Sequence, residues 1–126
     1  MPSTAKILIV DHRPVIAEIY SRRLRDAGLD AAIASDKSAA FLALANPGAD
    51  LMLLSADLPA GQSFEILAAI RQQAGFPSSS VPVLVVSSDG SGWDIEKAMY
   101  YGVQDLLVAT EYSPAEIVAK IKKHLP

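Results

Sequence analysis

Ile7-Leu8-Ile9-Val10-Asp11, Asp50-Leu51-Met52-Leu53-Leu54-Ser55 and Pro82-Val83-Leu84-Val85-Val86-Ser87 are the stretches that decide the fold. Each is a short, continuously apolar run that ends at a polar residue. A half-buried strand would alternate apolar and polar side chains. A strand of a parallel sheet is covered on both faces and reads as an unbroken apolar run. The three runs therefore predict buried parallel strands over 7–10, 51–54 and 83–86.

The segments between them carry a different period. From Pro14 to Ala27 the apolar residues Ile16, Ile19, Tyr20, Leu24 and Ala27 recur at helical spacing, and Gly28 supplies a stop. Ala31–Ala34 reads as a weaker strand. Asp36 then stands as the N-cap of a helix carrying Phe41, Leu42 and Leu44, which runs to Asn46-Pro47-Gly48. After a loop marked by Pro59, Gly61 and Ser63, the residues Phe64, Leu67, Ile70 and Ala74 repeat with helical period as far as Gly75 and Pro77.

A short helix is expected from Trp93 to Tyr101, stopped by Gly102, followed by a strand over Leu106–Val108. Ser113-Pro114-Ala115-Glu116 combines a capping box with proline at the first helical position. Ile117, Val118, Ile121 and Leu125 then form one apolar face. Five strands alternating with five helices through short loops define an α/β, (βα)5 pattern, with one parallel sheet and helices on both faces. No internal repeat or low-complexity segment interrupts it, and residues 1–126 are expected to form a single domain.

Bulk properties exclude more than they assign. With 126 residues the chain can bury a core of ordinary size. Charged residues make up 20% and the net charge is -3, which is neither the basic excess of a nucleic-acid binder nor the acidity of a disordered tail. The absence of cysteine removes disulfides, thiolate metal sites and cysteine nucleophiles, in keeping with a reducing, cytoplasmic compartment. No apolar run approaches the roughly 18 residues of a membrane span, so a soluble protein is expected.

In such sheets chemistry gathers where the strands end. Those positions hold Asp11-His12, Ser55, Ser87-Ser88 and Ala109-Thr110. The runs quoted above, with Leu58-Pro59 after the third strand and Gly102 before the fifth, resemble the receiver domain of response regulators in two-component and phosphorelay signalling. The resemblance extends over nearly the whole chain and rests on the order and spacing of its parts. It implies a flavodoxin-like receiver fold with strand order 2-1-3-4-5. It also implies a phosphorylation pocket: an acidic pair binding magnesium, an aspartate ending the third strand that accepts a phosphoryl group, a hydroxyl sensor after the fourth, and a lysine after the fifth. Phosphoryl transfer rests on positioning and charge neutralisation, so these parts act together.

Mapped residue by residue, the pocket is degenerate. The acidic pair is Asp11 and His12. Magnesium prefers hard oxygen ligands, so its binding is expected to be weak or absent and no cofactor is implied. The phosphoacceptor position is Ser55, a poor nucleophile without an activating base, whose phosphate ester would lack the ready hydrolysis of an acyl phosphate. The lysine position is Ala109, and the usual following proline is Thr110. Ser87 keeps the switch hydroxyl, while Leu106 stands where an aromatic switch residue often sits.

Other arrangements carry less. Asp11, His12 and Ser55 line one crevice, yet Ser55 lacks the G-x-S-x-G setting of a hydrolase elbow, and no catalytic residue is assigned. Asp57 could replace the missing acceptor, against the plainer reading of a solvated loop carboxylate. His124 suits the end of the last helix, and Arg22, Arg23 and Arg25 suit a solvated helix face. Trp93, Met99, Tyr100 and Tyr101 cannot all face the core at helical spacing and suggest an exposed contact surface.

The sequence thus predicts a non-enzymatic pseudo-receiver that is not phosphorylated in the usual way. It would contact a protein partner, or pair with itself as a homodimer, through the face of the fourth helix, fifth strand and fifth helix. Neither nucleic acid nor membrane is expected as a partner of this domain. Two rival readings are a receiver-like sensor holding a small ligand or anion beside Ser55, Ser87 and Asp11, and residual phosphotransfer through Asp57 or Ser55.

Overall fold

The computed structural model describes residues 4–45, 48–72, 80–90 and 93–126. The elements run β1 (Lys6–Val10), α1 (Pro14–Asp26), β2 (Asp30–Ala34), α2 (Lys37–Ala45), β3 (Leu51–Ser55), a 3₁₀ turn (Pro59–Gly61), α3 (Gln62–Gln72), β4 (Val83–Ser87), α4 (Ile95–Tyr100), β5 (Asp105–Val108) and α5 (Pro114–His124). The strands form one sheet of order β2-β1-β3-β4-β5, and every neighbouring pair is parallel. This is the architecture and strand order that the sequence predicts.

Alternation along the strands builds two cores from continuously apolar runs. Ile7, Ile9, Leu51, Leu53, Leu84, Val86 and Leu107 face one side, where Ala17, Tyr20 and Leu24 of α1 and Ile117, Val118 and Ile121 of α5 cover them. Leu8, Val10, Met52, Leu54, Val83 and Val85 face the other, under Ala40 and Leu44 of α2 and Ile66, Leu67 and Ile70 of α3. Successive side chains of a strand point to opposite faces, so each run supplies both layers at once.

The ends of the helices follow the local chemistry. Gly28 takes φ +85 after α1, where the Leu29 N–H donates to the Leu24 carbonyl at 3.0 Å, the six-to-one closure that a left-handed residue permits. Asp36 caps α2 by accepting the Ala39 N–H at 2.8 Å. Ser113 and Glu116 form the expected capping box: the Glu116 N–H donates to Ser113 Oγ and the Ser113 N–H to Glu116 Oε1. Hydrogen bonding from Ser113 holds the Glu116 carboxyl below its ordinary pKa.

Several expectations are corrected. The helix predicted from Trp93 to Tyr101 is shorter, because Asp94 leaves the helical region and accepts the Lys97 N–H as an N-cap, with Trp93 before it. Ser63 lies inside α3 and not in a loop. Ile19 is partly exposed, since α1 turns Ala17, Tyr20, Ser21 and Leu24 inward. Leu42 is 75% exposed because Ala40 and Leu44, four residues apart, form the inward line of α2. The expected stops at Asn46-Pro47 and at Gly75 and Pro77, and the apolar position Ala74, lie outside the described residues.

Ser21 is fully buried on the inner face of α1, and among the described residues its Oγ has no hydrogen-bond partner. A buried hydroxyl without a partner forfeits its hydration. Ser21→Ala should therefore raise unfolding stability by about 1 kcal/mol in urea titration. A loss of similar size would show that the hydroxyl is satisfied.

Candidate functional site

The carboxyl ends of β1, β3 and β4 lie side by side in the sheet: Val10 is in register with Leu54, and Ser55 with Val86. The loops leaving them bring together Asp11, Ser55, Asp57, Ser87 and Ser88. They also bring in Arg13, a residue that the sequence reading did not single out.

Asp11 is buried, with 4% of its surface exposed. A carboxylate so placed needs charge-assisted partners, and Arg13 supplies three. Its backbone N–H donates to Asp11 Oδ1 at 2.9 Å, Nε to the same oxygen at 3.0 Å, and Nη2 to Oδ2 at 3.0 Å. The following Pro14 is the first residue of α1. A residue before proline is biased to extended backbone, and Arg13 adopts φ -99 and ψ 106. From there its side chain turns back onto Asp11 as a bidentate fork.

The other end of the guanidinium reaches across the sheet. Nη1 lies 3.8 Å from Asp57 Oδ2, and that oxygen also accepts the Ser88 N–H at 3.0 Å. Asp57 is thus not the freely solvated loop carboxylate expected: its side chain is 27% exposed and is engaged on two sides. The Arg13 pKa is raised above its ordinary value, first by the hydrogen bond to Asp11 and then by the charges of Asp11 and Asp57, against the opposing effect of burial. Tyr20 is also raised, by burial first and by the Asp11 charge second.

Ser55 ends β3 in a buried position. Its Oγ accepts the Asp57 N–H at 3.1 Å, and its carbonyl accepts the Ser63 hydroxyl at 2.7 Å. Ser87 is fully buried, its Oγ accepts the Gly90 N–H at 2.9 Å, and its carbonyl accepts the Ala109 N–H at 2.8 Å. Ala109 is exposed just past β5, whereas Leu106 is half-buried and packs on the α2–α3 side of the sheet. His12 points outward, its Nδ1 3.9 Å from Asp11 Oδ1 and beyond hydrogen-bond reach. Asp11, Ser55, Asp57 and Ser87 therefore lie at the ends of neighbouring strands, with Asp11, Ser55 and Ser87 buried, while His12 is exposed beside Asp11. Among the described residues no three histidine, aspartate or glutamate side chains converge to hold a metal ion.

Trp93 links the crevice to the α4 surface. Its indole N–H donates to the carbonyl of Ala56, the residue after Ser55, at 2.9 Å, and its ring stacks on Phe64 with centroids 4.2 Å apart. Trp93 and Tyr101 are half-buried against the core, so only Met99 and Tyr100 of the four suspected contact residues are well exposed. Ile95, 59% exposed, joins them on the same short helix.

A doubly wound five-stranded parallel sheet with polar residues at the ends of β1, β3 and β4 defines the flavodoxin-like class. Within it, the chain belongs to the response regulator receiver domain family, whose family model matches residues 7–122. It is 29% identical over 120 residues to the DNA-binding response regulator MtrA of Mycolicibacterium smegmatis, covering 95% of this chain and 50% of that protein. It is 30% identical over 116 residues to the sensory transduction protein RegX3 of Mycobacterium bovis, covering 92% of this chain and 48% of that protein. The chain thus spans about half the length of these curated relatives.

Solved structures agree on the fold. The chemotaxis protein CheY4 of Vibrio cholerae superposes with a TM-score of 0.85 at 24% identity, over 98% of this chain and 100% of that one. An orphan response regulator of H. pylori superposes with a TM-score of 0.82 at 18% identity, over the whole of both chains. Among the described residues no helix is long and apolar enough to cross a membrane.

Proposed function

We propose that this receiver domain is a pseudo-receiver: it works in two-component signalling as a protein-interaction module, without phosphorylation in the usual way. The observation that carries the reading is Ser55. It stands at the end of β3, where the family resemblance calls for a carboxylate, and its Oγ already accepts the Asp57 N–H inside the domain.

The remaining parts of the pocket support the same reading. The donor set does not fit magnesium. Both oxygens of Asp11 are taken by Arg13, and His12 offers an imidazole turned to solvent instead of a hard oxygen. At the position of the family's lysine, Ala109 presents a methyl group that cannot stabilise a transferring phosphoryl group. Asp57 is a poor substitute acceptor, since its Oδ2 is held by the Ser88 N–H and faces Arg13. Phosphoryl transfer depends on cation, lysine and carboxylate acting together, and here each is replaced or occupied. The ligand-sensor reading has less support, because Asp11, Ser55 and Ser87 are each hydrogen-bonded within the chain.

A partner would be met at α4. Ile95, Met99 and Tyr100 are 59%, 71% and 76% exposed and lie within one six-residue helix. Methionine and aromatic residues are enriched in interface cores. The name of MtrA includes DNA binding, but this chain spans about half of that protein, and its net charge of -3 argues against a nucleic-acid role for this domain.

Intact-mass spectrometry after incubation with acetyl phosphate and magnesium should give an unchanged mass. A phosphoryl-sized increase would overturn the reading and identify the acceptor on peptide mapping. Sedimentation velocity at rising concentration should show weak self-association that Met99→Asp abolishes. A wild-type chain that stays monomeric up to its solubility limit would remove self-pairing and leave a different protein as the partner.

A further inference from the structure

Asp11-His12-Arg13-Pro14 places a cation two residues from a carboxylate, with proline fixing the backbone between the cation and the first helix. The guanidinium then touches more than its neighbour. Through Nε and Nη2 it closes on Asp11 at the end of β1, and through Nη1 it faces Asp57 in the loop after β3. Asp57 in turn holds the Ser88 N–H at the exit of β4. One planar cation therefore joins the ends of three adjacent strands.

The charge balance explains why it is there. The Asp11 side chain is 5% exposed and the Asp57 side chain 27%. Two carboxylates that face the same group repel each other unless positive charge lies between them. A divalent ion would need several oxygen ligands and partial loss of its water shell. Arginine is weakly hydrated, presents a fork that matches a carboxylate, and is always charged. Being part of the chain, it needs no free ion in solution and cannot diffuse away.

We propose that Arg13 is the tethered cation of this crevice, neutralising Asp11 and Asp57 and holding the loops after β1, β3 and β4 in a single arrangement. This rests on the reading of the domain as a pseudo-receiver. It adds the device that keeps the crevice in one state. Arg13 is a positioning residue, and its removal should convert a cation-indifferent domain into a cation-responsive one, with Asp11 and Asp57 as the carboxylates exposed to the ion.

The test is a set of thermal melts of the whole chain in millimolar MgCl₂ or MnCl₂ against potassium chloride of equal ionic strength, with Trp93 fluorescence as a second readout. Wild type should melt at the same temperature in every salt. Arg13→Gln, which keeps part of the side-chain stem, should melt on the order of 5–10 °C lower in potassium chloride and recover saturably with either divalent ion. Adding Asp57→Asn to that variant should remove the recovery. Arg13→Lys keeps the charge without the fork, and should melt between the two with no divalent response.

A wild-type domain that gains stability saturably from magnesium would overturn the proposal. So would an Arg13→Gln variant that folds with no divalent response, or one that stays unfolded at every cation concentration while Arg13→Lys folds. The melts contain no phosphodonor. A phosphoryl mass gain on wild type would therefore overturn the pseudo-receiver reading without touching the cation result.

Discussion

A carboxylate removed from water must find hydrogen-bond donors or give up its charge, and Asp11 is the buried carboxylate on which this crevice turns. Leaving it without a cation would cost several kcal/mol. Pairing it with Arg13 satisfies both oxygens and fixes the path of the chain from β1 into α1. Pro14 makes the pairing inexpensive in entropy, because the backbone before proline has few alternatives to the extended form. The same guanidinium carries the influence of Asp11 to Asp57, and Asp57 carries it to the loop after β4. The geometry of the whole strand-end rim thus depends on one ion pair within the β1–α1 loop.

Most of the fold is legible in the sequence because its central strands are buried on both faces. Nothing but a run such as Ile7–Val10 or Val83–Val86 satisfies that constraint, so three stretches define the sheet and the helices fill the intervals. Capping chemistry was equally readable: Ser113-Pro114-Ala115-Glu116 forms its box as written. The misreadings come from positions where pattern alone underdetermines direction. In α2 nearly every residue is apolar, so the period does not reveal that Leu42 faces water. At Trp93 helical spacing competed with the capping preference of the adjacent Asp94, and the cap prevailed.

The site was legible as a set of strand-end positions and less so as a set of contacts. Asp11, Ser55 and Ser87 fall where the alternation of strands and helices puts them, which is why the sequence could locate them. Arg13 was not singled out, although Asp-x-Arg-Pro carries a signal: the spacing that lets a side chain fold back over two residues, and a proline that holds the turn open. Asp57 was misread as solvated because its partners, Ser88 and Arg13, come from other loops and are invisible to local pattern. Likewise Trp93 and Tyr101 stand close to Met99 and Tyr100 in sequence, whereas Trp93 stacks on Phe64 and both Trp93 and Tyr101 pack on the core, which leaves Met99 and Tyr100 as the exposed pair.

With Arg13 holding Asp11 and Asp57, the strand-end loops should keep one arrangement that neither magnesium nor a phosphoryl analogue alters. Two-dimensional NMR of the ¹⁵N-labelled chain, with and without beryllofluoride and magnesium, tests it most directly. The Ser88 amide reports on its bond to Asp57, and the Trp93 indole N–H reports on its bond to the Ala56 carbonyl beside Ser55. Both resonances, and the Arg13 amide, should stay where they are. New resonances for these groups on adding the analogue would contradict it, by showing that the pocket still binds a phosphoryl group and has a second state to adopt.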